Sequence, residues 1–410
     1  MPRTPGLAEK LWAGFWYTRA QCLQNETTLF DALLRDKARP RSAPPDRSVG
    51  LGARTPRVAA LFSLRVSRVS PPLPRSHPHT SQDVAWRSDD IPVDASDAQD
   101  VVHSVSVHAP GPSSARRAPA ELVMVHGFAN GGGCFWPRVA AHGARGRTHL
   151  VDWRGAGMSG RPARFAPRTE AEAIEYLVDG LEAWRRAKLG EDGSLGCLLG
   201  HSMGAIVAAE YAAKHPNRVS HLVLVGPAAV KEMDPKRLET FLSRSWRNRL
   251  AFAAASGAWN SGVTPQRVMR ALPFAWPRAI VEGYMRRRWR AKERLDAETF
   301  EALVEYATGV CVMRGVSERA MSLILAPVGA ARTPIGPGVE ALPENIAVTF
   351  VYGEHDWMDP AAGAEVVERL KRRGRRNVEC HIVKDAGHYP FIDQPEEVFQ
   401  IVEKARASCR

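Results

Sequence analysis

The stretch Leu198–Pro216, LLGHSMGAIVAAEYAAKHP, constrains the fold more than any other segment of the chain. Its apolar start reads as a buried strand and its Ala-rich end as a helix, leaving only Gly200-His201-Ser202-Met203-Gly204 for the turn between them. A strand that turns straight into a helix is the repeating unit of a parallel sheet. A serine between two glycines at that turn is either a nucleophile held out on a sharp elbow or an ordinary turn residue. The pentapeptide alone does not choose, so the rest of the chain has to.

After Ala120 the same rhythm repeats. ELVMVHG (121–127), RTHLVDW ending near Asp152, LGCLLGHS, SHLVLVGPAA, AVTFVYG (347–353) and VECHIVK (378–384) read as strands. Ile174, Leu177, Val178, Leu181 and Trp184 recur at helical spacing before a stop at Gly190. Strands this apolar, separated by helices, predict a mostly parallel sheet covered by helices on both faces. From Val230 to about Leu342 the rhythm breaks into Trp-, Arg- and Met-rich helical patterns with no convincing strand. That stretch is too long for a loop and is expected to be a helical insertion capping the carboxyl ends of the sheet. The expected division is an N-terminal segment (1–100), a first core part (101–229), the helical cap or lid (230–342) and a second core part (343–410).

The first hundred residues differ in kind. Lys37 to Val93 is dense in Arg, Pro and Ser and lacks periodicity, so it is expected to be largely disordered, as a linker or an organellar transit peptide. Ahead of it, Trp12, Phe15, Trp16 and Tyr17 lie beside Lys10 and Arg19, a pattern suited to a membrane interface or to packing on the domain. The net charge of +12 favours anionic partners, but no nucleic-acid-binding motif accompanies it. There is no run of eighteen apolar residues. The six cysteines are scattered without a C-x-x-C pair, which points to reduced thiols in an intracellular setting and to no metal.

Ser202 now has its context: a buried strand before it, a helix of small residues after it. Gly200 and Gly204 leave the turn uncrowded, and the helix N-terminus offers free N–H groups to an oxyanion. A serine nucleophile needs a base and an acid to orient that base, following in the chain order Ser, acid, His. In VTFVYGEHDWMDP, Asp356 stands just past a strand end, with Asp359 as its competitor. In VKDAGHYPFID, His388 alone of the thirteen histidines lies in a loop after both serine and acid. The oxyanion hole is expected from the Met203 N–H and the Phe128 N–H, the latter in VMVHGFANGGG. His126 and His201 are expected to hold the surrounding loops and pack around the elbow.

HGF, DWRGAGMSGRP, GHSMG, GEHDWMD and AGHYPFIDQPEE, in this order, resemble the α/β-hydrolase superfamily. The closer likeness is to its domain-4/5 lineage of lysophospholipases, N-acyl-phosphatidylethanolamine lipases, a lipase co-activator and cardiolipin lipases, through SERAMSLILAPVGAARTPI (317–335) and His388-x-x-x-x-Asp393. It spans roughly Glu121 to Val402. The loop HGFANGGGCFW is longer than the family's usual HGFGGG. The resemblance implies an α/β-hydrolase fold and a serine hydrolase of glycerophospholipid or lysophospholipid acyl esters, working without a cofactor. Co-activator members carry asparagine where this chain keeps Ser202. The family reads the His388/Asp393 pattern as a lysophosphatidic acid acyltransferase motif; by its own chemistry Asp393, three residues before Glu396, reads as a helix N-cap. The alternatives are an acyltransferase or transacylase and a non-catalytic lipid-surface scaffold. The expected partner is a lipid substrate at a membrane or lipid-droplet surface, with basic YMRRRWRAKER (284–294) as either a headgroup site or a solvated face. The expected location is intracellular, either cytoplasmic or peripheral to a membrane, the mitochondrion included.

Overall fold

In a computed structural model, residues 18–34, 84–109, 120–232, 239, 243, 245–273, 275–327 and 332–409 are described. Eight strands form one sheet: β1 (Ala85–Pro92), β2 (Val101–His108), β3 (Leu122–Val125), β4 (Thr148–Val151), β5 (Gly196–His201), β6 (Val219–Val225), β7 (Ala347–Gly353) and β8 (Val378–Val383). Their order is β1-β2-β4-β3-β5-β6-β7-β8. β4 through β8 in that order run parallel, while β2 joins β4, and β1 joins β2, antiparallel. The six strands read from the sequence are the parallel ones. Helices cover both faces of the inner strands, and β3, β4 and β5 are buried throughout, whereas β8, at the other edge, is only partly buried.

Register places the site. Val125 lies opposite Gly200, His201 opposite Val225, and Val225 opposite Val351. The carboxyl ends of β3, β5, β6 and β7 therefore finish side by side, and the loops that follow them converge. The helix Glu170–Leu189 buries Leu177, Val178, Leu181 and Trp184 on the expected face. It starts at a capping box in which Thr169 and Glu172 satisfy each other's backbone N–H groups, and it ends at Gly190.

The reading of Lys37 to Val93 as loosely structured fails at its end, because Ala85–Pro92 form edge strand β1. Its sequence, AWRSDDIP, is mostly polar since one side of an edge strand meets water, and polarity concealed the strand. Residues 35–83 and the aromatics Trp12 to Tyr17 lie outside the described residues. Between the two, Arg19–Leu34 is a helix that sinks Cys22, Leu29 and Phe30 fully into the core against the helix Ala297–Val312.

That N-terminal helix is also tied down by charge. Buried His103 of β2 reaches Glu26 Oε2 at 2.6 Å through Nε2 and Asp90 Oδ1 at 2.7 Å through Nδ1. Burial opposes charge on the imidazole, but Glu26 and Asp90 override it and raise its pKa to about 10. Because the folded pKa lies above the unfolded value, the contribution is complete below about pH 6.5 and fades as pH rises through about 10. Glu26→Ala is therefore expected to cost about 3 kcal/mol at neutral pH. Urea denaturation of both proteins across that range should show the difference shrinking with alkalinity; a pH-independent difference would remove His103 from the explanation.

Between β6 and β7, Trp246–Asn260, Pro265–Ala271, Ala275–Tyr284, Ala291–Arg294, Ala297–Val312 and Glu318–Ile324 are α-helices, with a π turn at Met285–Trp289. Among the described residues no helix is long and apolar enough to cross a membrane.

Candidate active site

Ser202 sits at φ 55° and ψ −119°, a backbone conformation that costs a serine on the order of 1–3 kcal/mol and persists only where the surroundings enforce it. They do: its N–H donates to Val225 O at 2.9 Å, and its carbonyl accepts from Ala205 N at 3.1 Å and Ala228 N at 3.2 Å. The flanking glycines are required by contact. A Cβ on Gly200 would stand 2.7 Å from Ala205 Cα, and one on Gly204 would run into the carbonyls of Val125 and His126. Strand β5 and the helix Met203–Lys214 thus hold the Ser202 side chain out at the carboxyl end of the sheet.

His388 arrives from the loop after β8. Its Nε2 lies 2.9 Å from Ser202 Oγ and its Nδ1 lies 2.8 Å from Asp356 Oδ1. Asp356, its side chain fully buried, also accepts from Met358 N at 2.9 Å. The competing carboxylate does other work: Asp359 caps the helix Pro360–Arg372, accepts from Ala361 N at 3.1 Å and pairs with Lys231 at 2.9 Å. Gly226, at φ +49°, closes the group from β6; a Cβ there would lie 2.9 Å from Asp356 Oδ2 and 3.1 Å from His388 Nδ1.

His201 does more than pack. Its Nε2 lies 2.9 Å from the His388 carbonyl, which can only accept, so this nitrogen carries the proton. Burial, helped by the neighbouring His388, pushes the His201 pKa well down and keeps the ring neutral. It thereby fixes the backbone that carries His388.

The loop after β3 lies against the elbow: a Cβ on Gly127 would touch Ser202 Cβ at 3.0 Å. This puts the peptide leading to Phe128 beside the serine, while Met203 opens its helix and leaves its N–H without an intrahelical acceptor. Asn130 Nδ2 donates to Phe128 O at 3.2 Å and to Tyr389 Oη at 3.1 Å. Asp152 accepts from Gly132 N at 2.6 Å and Met158 N at 2.5 Å, and Tyr306 Oη accepts from Gly133 N at 3.1 Å. His126 Nδ1 donates to Gly127 O at 2.8 Å and its ring stacks on Trp153, as a loop-holding histidine should. Asn130, Asp152 and Tyr306 were not singled out from the sequence. Asp152 stood in view in DWRGAGMSG, but nothing in its spacing says that it binds a loop twenty residues earlier.

Asp393 is not a helix N-cap. The helix Pro395–Ala407 begins after Gln394 without a side-chain cap, and Asp393 ends the short turn Pro390–Asp393. Its carboxylate points back instead, accepting from Gly387 N at 2.8 Å and from the Arg288 guanidinium at 3.0–3.2 Å. Pro395 explains the reversal: it needs no cap for its missing N–H, and the carboxylate is left free to brace the residue before His388.

For a cation, Glu354, His355 and Asp385 are the one trio among the described residues that comes close enough together, and all three are exposed.

The family model described as the alpha/beta hydrolase family matches residues 122–401. The chain belongs to the alpha/beta hydrolase family. This α/β-hydrolase is 32% identical over 289 residues to a 1-acylglycerol-3-phosphate O-acyltransferase of Arabidopsis thaliana, covering 68% of this chain. It spans 65% of that plant relative's length. It is 29% identical over 297 residues to the (lyso)-N-acylphosphatidylethanolamine lipase of Homo sapiens, covering 69% of this chain and 78% of that one. A crystal structure of a membrane phospholipase A shares the fold at TM-score 0.50 and 17% identity, over 79% of this chain and 87% of that one.

Proposed function

We propose that this α/β-hydrolase cleaves acyl esters of glycerophospholipids or lysophospholipids through an acyl-serine. The observation that carries the reading is the hydrogen-bonded series Ser202–His388–Asp356 on a strained elbow. Ser202 Oγ attacks the ester carbonyl as His388 Nε2 takes its proton. Asp356 holds the imidazole by Nδ1 and stabilises its charge. The Phe128 and Met203 N–H groups receive the oxyanion, each worth roughly 10²–10³ in rate. The intermediate collapses as His388 returns the proton to the leaving alcohol; water, deprotonated by the same histidine, then releases the fatty acid. No cofactor enters this sequence. The helical segment 230–342 acts as the lid, and the protein works peripherally at a membrane or lipid-droplet surface.

The plant relative's name favours a second reading, an acyltransferase, in which a lysolipid hydroxyl replaces water at the acyl-serine. Product analysis separates the two. With labelled lysophosphatidylcholine, free fatty acid should dominate. Label should stay out of phosphatidic acid when lysophosphatidic acid is added, with or without acyl-CoA. Diacyl product in excess of free acid would establish the transferase instead.

Asp393 acts in this reading as a positioning residue. Asp393→Ala, which frees Gly387 N–H and Arg288, should lower kcat on a soluble short-chain ester by about 10–100-fold with KM nearly unchanged. Asp393→Asn keeps an acceptor for Gly387 and should recover most of the loss. Steady-state kinetics decide it; equal losses in the two variants would mean that the carboxylate charge matters for another reason.

A further inference from the structure

Large apolar side chains exposed among the described residues are concentrated, not scattered. Six of the eight that stand out, Trp246, Leu250, Val268, Trp276, Ile280 and Tyr284, fall within three consecutive helices of the segment 245–284. On the helix Ala275–Tyr284, Trp276, Ile280 and Tyr284 recur every fourth residue and share one face. On the helix Trp246–Asn260, Trp246 and Leu250 stand 67% and 62% exposed, and none of its fifteen residues is buried. This helix is held at its C-terminal end, where Trp259 packs on the core and its Nε1 donates to Leu325 O at 2.9 Å, while Trp246 and Leu250 at its start stand open among the described residues.

Charge narrows the partner. From Trp246 to Val281 the chain has five arginines and no acidic residue. Arg270 and Arg278 are committed to Glu318 and Glu305, at 2.8 and 2.7 Å. Arg247 and Arg267 are exposed and make no ion pair among the described residues, and exposed Arg287 follows Tyr284 in the π turn. The basic run Tyr284–Arg294, in contrast, is largely spent internally: Arg286 pairs with Glu282, Arg288 with Asp393 and Arg290 with Glu293. Arg247 and Arg267 therefore lie with the exposed aromatics, and Arg287 adds to them from the start of the basic stretch.

The helix Ala275–Tyr284 also leads to the serine. Tyr284 packs on Trp289, Trp289 on Tyr389 and Tyr389 on His388, with ring centroids 6.0, 5.4 and 5.4 Å apart. Trp357, 58% exposed, lies 4.8 Å from the His388 ring. We infer that the exposed apolar side chains of these helices, Trp246, Leu250, Trp276 and Ile280, with Arg247, Arg267 and Arg287, dock on an anionic lipid bilayer and bring the exposed Trp357 beside His388 to its surface. Amphipathic rings settle at the headgroup level, apolar side chains enter the acyl boundary, and guanidinium groups pair with lipid phosphates. The inference deepens the lipid-ester reading by naming the surface from which substrate is taken, and does not depend on which bond is cut.

The test is flotation of the full-length protein with phosphatidylcholine vesicles, with and without phosphatidylglycerol, beside the variants W276D/I280D and W246D/L250D. Wild type should float with the anionic vesicles, less so as salt is raised. Each double variant should bind about tenfold more weakly or worse, while hydrolysing a soluble short-chain ester at the wild-type rate. That last readout separates the two claims, since a failed serine mechanism would silence all three proteins on the soluble ester. Variants that float like wild type would overturn the proposal, placing docking elsewhere in the chain. So would equal binding to phosphatidylcholine alone, or a wild-type dimer in solution that these substitutions dissociate without any change on vesicles.

Discussion

Ser202→Ala is expected to reduce ester turnover by at least about 10⁴-fold, with the folded protein otherwise intact. The size follows from where Oγ stands. It is the atom 2.9 Å from His388 Nε2, and without it the imidazole has no proton to accept and the carbonyl no covalent partner. The fold should survive because the elbow is held by backbone hydrogen bonds to Val225, Ala205 and Ala228, which alanine keeps. Alanine at φ 55° is strained much as serine is, so thermal stability should shift by less than about 1 kcal/mol. Substrate affinity should persist, readable as retained binding of a non-hydrolysable ether lipid. Turnover within about tenfold of wild type in purified, contaminant-free variant would mean that another group attacks the ester.

The second large effect is at Asp356. Its Oδ1 accepts from both His388 Nδ1 and Met358 N, while Oδ2 is buried without a hydrogen bond among the described residues. An asparagine carbonyl could accept both bonds and leave its amide where Oδ2 was, so geometry would change little. What disappears is the negative charge facing the imidazolium that forms in the transition state. Asp356→Asn should therefore lower kcat and kcat/KM together, by about 10³–10⁴-fold. Asp359→Asn is the control: it touches a helix cap and the Lys231 pair, and should leave turnover within about twofold. If the two variants exchanged these outcomes, the acid would be Asp359 and the 2.8 Å contact to His388 would be incidental.

The inner parallel strands were legible because burial on both faces demands unbroken apolar runs, and Ser202 and Asp356 because each follows such a run at its carboxyl end; His388 follows the partly buried edge strand β8 and was legible from its place after both serine and acid. β1 and β2 were not read, as antiparallel strands at an edge alternate or turn polar, and their partners are set by tertiary contact. The helix Arg19–Leu34 was hidden for a related reason: Glu26 is polar, yet it is buried against His103 from a strand 77 residues away. Asp393 shows the limit of local motifs. Its spacing to Glu396 matched a capping box, but Pro395 took over the helix start and Arg288, 105 residues earlier, claimed the carboxylate. Arg288 could be paired with it only in three dimensions.

The most direct measurement is acid-quenched burst kinetics with a p-nitrophenyl acyl ester, followed by peptide mass mapping. The account predicts a burst of nitrophenol matched to enzyme concentration and an acyl mass increment on the peptide carrying Ser202, absent in Ser202→Ala. Turnover with no covalent intermediate, or an increment on a different residue, would contradict it.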